Sequence, residues 1–250
     1  LHPFQLPGPD VRLRMAYPYD SFTDSNGTAL HGRALPKADL QTVAEPDWAA
    51  WQDTGGDFEI RSNHLELTTL LYDRCAVLDF GTANARIGAD IILDDSTSYP
   101  FHQGLLVFRY YDQDNYNAIM VYHEDADDWG VRVYTVTSGT ATSVAPDSAY
   151  NLKTHIWDKG DSARVEAQFT DNEVIVWVND YAVAEFSNVE PNLTRTKHGV
   201  GGYYFSANAV TGAAGSRKVQ WDNFGGWNTV FSGRTDTVEP LPGKDASANI

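Results

Sequence analysis

Hydrophobic and polar positions alternate along this chain in short runs broken by clusters of Gly, Asp, Asn and Ser, most clearly between Gly104 and Val136. There Leu106, Phe108 and Tyr110 alternate with Leu105, Val107 and Arg109; a second run extends from Asn117 to Tyr122 and a third from Gly130 to Val136. β-Branched and aromatic side chains suit a pleated surface. The intervening Asp112-x-Asp114-Asn115 and Glu124-Asp125-Ala126-Asp127-Asp128 clusters supply turn chemistry. The pattern predicts three antiparallel strands.

The same rhythm runs through the rest of the chain. An early set of strands is predicted at 58–60, 65–71, 76–80 and 85–93, and a late set at 163–170, 174–178, 181–186, 199–206 and 218–224. Asp171-Asn172-Glu173 and Asn179-Asp180 are tight-turn residues between alternating runs, which predicts two successive hairpins. Many short strands separated by turn signals predict an all-β sandwich. Helical spacing occurs at 37–51, through Leu40, Val43 and Ala44, and Pro46 cuts it short. No repeat of fixed period points to a propeller or a solenoid. The first ten residues hold Pro3, Pro7 and Pro9 without periodicity, and Glu239-Pro240-Leu241-Pro242-Gly243 punctuates the other end. The expected organisation is an extended N-terminal arm (1–16), one β-sandwich (17–227) and an extended C-terminal tail (228–250).

Composition narrows the function classes. With 250 residues, 42% hydrophobic and 12% aromatic, the chain can bury a sizeable core, roughly 70% of its unfolded surface. The lone cysteine, Cys75, rules out an internal disulfide and reads as a small buried hydrophobe. A formal net charge of −16, with no stripe of Lys and Arg, would repel phosphates, so no nucleic-acid partner is expected. No apolar run approaches the roughly 18 residues of a membrane helix, so no membrane insertion is expected.

Dispersed motifs then resemble a known family. Tyr19-Asp20-Ser21-Phe22, Gly27-Thr28-x-Leu30-x-Gly32, Trp51, Gly56-x-Phe58-x-Ile60 and Asn63-x-Leu65 look like the opening of concanavalin A-like lectin/glucanase modules. Gly104-Leu105-Leu106-Val107-Phe108-Arg109, followed by Asp114-Asn115-Tyr116, resembles the middle of these laminin-G-like jelly rolls. The hairpin Val174-Ile175-Val176-Trp177-Val178-Asn179-Asp180 and the ending Val219-Gln220-Trp221-Asp222-Asn223-Phe224 are similar as well. Two departures stand out: Asp180 where Gly is commoner, and an apparent insertion at 38–48. The resemblance implies an antiparallel two-sheet jelly-roll sandwich in which the first and last strands lie together. Such modules occur in secreted glycan-binding proteins, in glycosidases and in virion proteins of tailed bacteriophages, and the Asp-Ser-Phe opening with Pro-rich arms most resembles the phage setting.

Catalysis of the glucanase type needs two carboxylates on one strand face, about 5.5 Å apart, in a Glu-x-Asp-x-x-Glu run. No such run is present; Glu166 and Glu185 are lone strand carboxylates, and Asp57 with Glu59 lacks a third member. The seven histidines show no zinc spacing, and neither a Gly-x-Ser-x-Gly elbow nor a glycine-rich phosphate loop occurs. The expectation is therefore a protein without catalytic residues. Calcium is the credible ion, because Asp20, Asp222 and Asn223 would converge if the terminal strands pair, with the acidic loop at 124–128 as a second candidate. Glycan binding needs exposed aromatic faces beside hydrogen-bonding side chains. Tyr110, Tyr111, Asp112, Asp114, Asn115, Tyr116, Trp129 and Tyr134 form the candidate set, bordered by Tyr203 and Tyr204. Strand alternation requires that some of these pack in the core.

The reading that joins these points is a non-catalytic virion protein of a tailed phage, a capsid decoration or minor tail protein. Its arms would dock on other virion subunits within a homo-oligomeric assembly, and its sandwich would present a face to host-surface glycans. The alternative is a secreted bacterial carbohydrate-binding protein or glycoside hydrolase of the same fold, located extracellularly.

Overall fold

The computed structural model describes residues 19–33, 51–53, 58–67, 74–93, 102–123, 129–145, 148–149, 162–202 and 219–228. All regular structure among them is β-strand, arranged in two antiparallel sheets. Sheet A runs in the order β12 (Ser148–Ala149), β15 (Tyr181–Phe186), β14 (Glu173–Val178), β13 (Ser162–Thr170), β7 (Ala85–Leu93), β17 (Val219–Asn228), β5 (His64–Leu67), β4 (Phe58–Arg61) and β2 (Thr28–Ala29). A further strand, β1 (Tyr19–Asp20), also pairs with β17. Sheet B runs β11 (Thr140–Val144), β10 (Trp129–Thr137), β9 (Asn115–His123), β8 (His102–Asp112), β16 (Lys197–Gly202), β6 (Arg74–Asp79) and β3 (Gln52–Asp53). The jelly-roll sandwich expected from the sequence is the fold observed. The proposed N-terminal arm, the helical spacing at 37–50, the acidic loop at 124–128, Asp57, Tyr203, Tyr204 and residues 229–250 of the proposed tail lie outside the described residues, while Asn228, expected to open that tail, is the last residue of β17.

Chain closure follows the predicted route. β1 pairs with β17 in the register Tyr19↔Gly225 and Asp20↔Phe224, which joins the first described strand to the last. The hairpin between β14 and β15 turns on Asn179 and Asp180, whose φ values of 48° and 68° are both left-handed, as a two-residue type I′ turn requires. Asp180 thus takes the conformation for which Gly is commoner.

Between the sheets lies one aromatic-rich core. Trp51 sits against Phe22 and Phe224, with ring centroids 5.7 and 5.3 Å away, Phe58 packs on Trp221 at 5.9 Å, and Phe108 stacks on Phe169 at 4.9 Å. Each fully buried side chain of this size contributes roughly 2–3 kcal/mol by removal from water.

Sheet B departs from simple alternation. Leu106 and Phe108 of β8 face the inter-sheet core, while Leu105, Val107 and Tyr110 join Cys75, Val77, Tyr116, Met120 and Tyr134 in a second apolar cluster on the opposite face. β8 and β9 are buried on both faces, which is why β8 reads as an almost unbroken apolar run. Cys75 is buried within this cluster, as expected of it.

Candidate functional site

The two outer faces differ in chemistry. Sheet B turns outward the apolar cluster just described; sheet A turns outward a row of charged side chains. In β7, Ala85, Ile87, Ala89 and Ile91 point into the core, so Arg86 and Asp90 point out. In β13, Ala163, Val165 and Ala167 point inward and leave Arg164 and Glu166 outside. The register places Arg164 opposite Asp90, a complementary pair, and Asp90 opposite Asp222 of β17, a like-charged one, so charged groups from three strands meet on one surface.

Their hydrogen bonds form a continuous ladder. Glu166 Oε2 accepts from Arg86 Nε at 2.9 Å and also from Arg86 Nη2, while its Oε1 accepts from Arg164 Nε at 3.2 Å. Arg164 Nη1 donates to the Asn223 carbonyl at 2.7 Å and lies 3.4 Å from Asp90 Oδ1, and Asn223 Nδ2 donates to Asp90 Oδ2 at 2.7 Å. At one end the Arg86 guanidinium lies 4.2 Å above the ring of Trp177, a partly exposed side chain of β14. Gly88 makes the arrangement possible. It sits opposite Glu166, and a Cβ there would come within 2.8 Å of Glu166 Cγ and 2.9 Å of Arg164 Nη2. Glu166 is therefore no lone surface carboxylate, as its sequence context implied, but the doubly paired centre of a network.

At the other end of the row stands Asp222, half-buried. Burial pushes its carboxyl above the ordinary aspartate range, and the charges of Asp90 and Asp20 push the same way; the Asn223 amide and His64 oppose them. Of the predicted calcium set, Asp20 lies opposite Phe224 in the β1–β17 pairing, the residue that follows Asp222 and Asn223. Asp20, however, already has a cation: its Oδ2 accepts from Arg33 Nη1 and from Trp51 Nε1 at 2.8 Å, and its Oδ1 accepts the Phe22 amide at 2.8 Å. Both oxygens are committed within the protein, so Asp20 serves as the anchor of Trp51 and Arg33 and not as a free metal ligand. Among the described residues, no group of three or more His, Cys, Asp or Glu is placed to hold a metal ion.

The predicted glycan set does not form one face. Tyr110, Tyr116 and Tyr134 are 5%, 1% and 8% exposed and belong to the apolar cluster on the face of sheet B away from the inter-sheet core. Asp112, Asp114 and Asn115 build the β8–β9 turn. Asp112 Oδ1 accepts the Asp114 amide at 2.9 Å and Asn115 Nδ2 at 2.8 Å, and Asn115 Oδ1 accepts the Ser138 amide at 3.1 Å. Trp129 opens β10 opposite His123, away from that turn. Tyr111 turns its ring outward, 52% exposed, and the Arg195 guanidinium lies 3.9 Å from its centroid.

A second polar centre, which the sequence reading missed, is buried at the end of the sandwich next to this turn. Arg109 lies in a bulge of β8 with φ 52°, and its amide donates to His198 Nδ1 at 3.0 Å. His198 Nε2 donates to the Thr82 carbonyl at 2.9 Å, between the rings of Phe80 and Phe169. Burial drives the His198 pKa down to about 3; the Thr82 hydrogen bond opposes this and the Arg109 charge adds to it. Arg109 Nε donates to the Ala83 carbonyl at 3.1 Å and Nη2 to Asn84 Oδ1 at 3.0 Å. Burial pushes its own pKa down to about 10 against the field of Asp171. The only advance signal was a charged residue closing an apolar strand.

No protein-family model and no curated protein sequence matches the chain. Solved structures do. The chain is similar to a carbohydrate binding module, CBM66, of Bacillus subtilis, at 13% identity and TM-score 0.50, covering 71% of this chain and 95% of that one. It is also similar to a β-glucanase of Bacillus licheniformis (14% identity, TM-score 0.48, 86% and 98% covered). A third is a protein of Bacillus subtilis with a galectin-like fold (12% identity, TM-score 0.47, 86% and 97% covered). The likeness to the carbohydrate binding module is one of fold, a jelly-roll sandwich of the concanavalin A-like kind.

Proposed function

We propose that this protein is a non-catalytic carbohydrate-binding sandwich and that the outer face of sheet A is its binding surface. The observation that carries the reading is the ladder from Arg86 through Glu166 and Arg164 to Asp90 and Asn223, beside Trp177. Sugars offer hydroxyl edges to charged hydrogen-bonding groups and C–H faces to aromatic rings. This row supplies both and is held rigid by its own bonds, which lowers the entropy lost on binding. The fold shared with a carbohydrate binding module is in keeping with it. Catalysis is not part of the reading, because Glu166 is held between two guanidinium groups and Glu59 is paired with Arg61 at 2.9 Å. With both oxygens so engaged, Glu166 has none left free to approach a substrate without breaking these bonds.

The test is a glycan array with the intact protein, followed by Trp177→Ala and Arg164→Ala. Signal on one glycan class, lost in both variants and kept in Tyr111→Ala, is the expected result. Loss only in Tyr111→Ala would move the site to the Tyr111 and Arg195 corner, and no signal at all would refute glycan binding.

For the biological setting we propose the surface of a tailed-phage particle, where the protein serves as a homo-oligomeric capsid decoration or minor tail component docked on other virion subunits. The motifs at Tyr19-Asp20-Ser21-Phe22 and Trp221-Asp222-Asn223-Phe224 support this through their resemblance to such modules. Copurification with a large symmetric particle is expected. Release of sugar from a polysaccharide by the free protein would favour the secreted hydrolase instead.

A further inference from the structure

We propose that the end of the sandwich beneath residues 187–196 contains a built site for one buried water molecule, held jointly by Arg109, Asn117 and Asn192. Three side-chain atoms there are buried and make no hydrogen bond among the described residues: Arg109 Nη1, Asn117 Oδ1 and Asn192 Nδ2. Arg109 and Asn117 are themselves fully buried.

The fold brings the three together. Asn117 is the cross-strand partner of Phe108, the residue before Arg109. Asn117 Nδ2 donates to the Pro191 carbonyl at 2.8 Å, one residue before Asn192. The segment carrying Asn192 is tied to the same corner again, since the Val189 amide donates to the Asn172 carbonyl at 2.9 Å, and Asp171, beside Asn172, accepts from Asn84, the Arg109 partner. β8, β9 and the crossing segment thus each contribute one unsatisfied polar atom to one corner.

Polarity identifies the occupant. Two of the atoms are N–H donors and the third is a carbonyl acceptor whose orientation is fixed by the Pro191 bond. A water accepts from Arg109 and Asn192 and donates to Asn117, satisfying all three at once, within the usual two to four partners of a buried water. An anion would match the donors but face the lone pairs of Asn117 Oδ1, and a cation would face the guanidinium. The site therefore takes a small neutral molecule with one oxygen.

A crystal structure at high resolution tests the assignment, with a second crystal soaked in bromide. The expected result is a solvent peak within hydrogen-bonding distance of Arg109 Nη1, Asn117 Oδ1 and Asn192 Nδ2, and no anomalous bromide signal at that point. Direct contact among the three side chains with no solvent between them would overturn the proposal, as would bromide at the site. In solution, oxygen-17 relaxation dispersion should show one fewer long-lived internal water in Asn117→Leu than in the wild type. Should that variant fail to fold, Asn192→Ala serves the same comparison, and an unchanged count in a folded variant refutes the site.

Discussion

Acidification should destabilise this protein through His198 in a pH range set by its burial. The ring is fully buried, its Nδ1 occupied by the Arg109 amide and its Nε2 hydrogen by the Thr82 carbonyl. Protonation would force a donor against the Arg109 amide and a charge beside the Arg109 guanidinium. In the folded protein the ring therefore stays neutral down to about pH 3, whereas in the unfolded chain it takes a proton near its ordinary value of 6.5. Below 6.5 the unfolded state binds the extra proton, so the contribution of this residue is fully present above 6.5 and is lost progressively until about pH 3. The loss amounts to roughly 3 kcal/mol at about pH 4.5 and roughly 5 kcal/mol once the pH lies below both values. A domain stable by about 5–15 kcal/mol would be brought close to unfolding by that alone. Urea unfolding at a series of pH values from about 8 to 4 measures it. His198→Asn keeps an acceptor for the Arg109 amide, loses the Thr82 bond and starts about 1 kcal/mol or more less stable at neutral pH. Its stability should nevertheless fall less steeply on acidification, by one proton's worth of slope. Parallel lines for the two proteins below pH 6.5, or a His198 NMR resonance titrating near 6, would refute the reasoning.

Two glycines make further tests. A Cβ at Gly199 would lie 1.8 Å from the backbone carbonyl of Ala76, an atom that cannot move without opening the β6–β16 pairing, so Gly199→Ala should yield no soluble folded protein on expression. Gly88→Ala meets flexible side-chain atoms of Glu166 and Arg164 as well as the Val165 carbonyl at 3.0 Å, so it should fold with a loss of about 1–3 kcal/mol and with the sheet A ladder displaced. Differential scanning calorimetry and a crystal structure read the two effects. Asp222→Asn should raise the unfolding free energy at neutral pH, by on the order of 1 kcal/mol or less given the solvent around it, and with it Tm. The folded carboxyl has a raised pKa, so its charged form is the destabilised one, and the advantage of Asn should disappear as the pH falls below the ordinary aspartate range. An unchanged or lower Tm at pH 7 would count against this account of Asp222.

How much of this was legible in the sequence differs between strands and sites. β7 and β15 were readable to the residue, and β8, β9, β10, β13 and β14 to within a residue or two, because alternation and turn chemistry are local properties of a dozen residues at most. The pairing of the first and last strands came from resemblance and was observed as expected. The short strands β2, β3 and β12 carried no pattern of their own, since a strand of two residues has no period to read.

The sites were a different matter. Sequence alternation put Tyr110 on the face of Leu106 and Phe108, but the bulge at Arg109 carries it to the opposite face, and alternation also assumed that one face meets water. Tyr116 and Tyr134 lie on the face away from the inter-sheet core, Tyr110 joins them through the bulge, and all three are buried. Glu166 looked isolated because its partner Arg86 is 80 positions away, and Arg109 gave no sign of a His198 partner 89 positions away. The sequence alone determined the strands, the turns and the sandwich, since the free energy of a pleated run depends on neighbours along the chain. Only the tertiary structure decided the ladder on sheet A, the buried polar corner and the commitment of Asp20 to Arg33. Those depend on register between distant strands, where a shift of one residue would turn every one of these side chains to the opposite face.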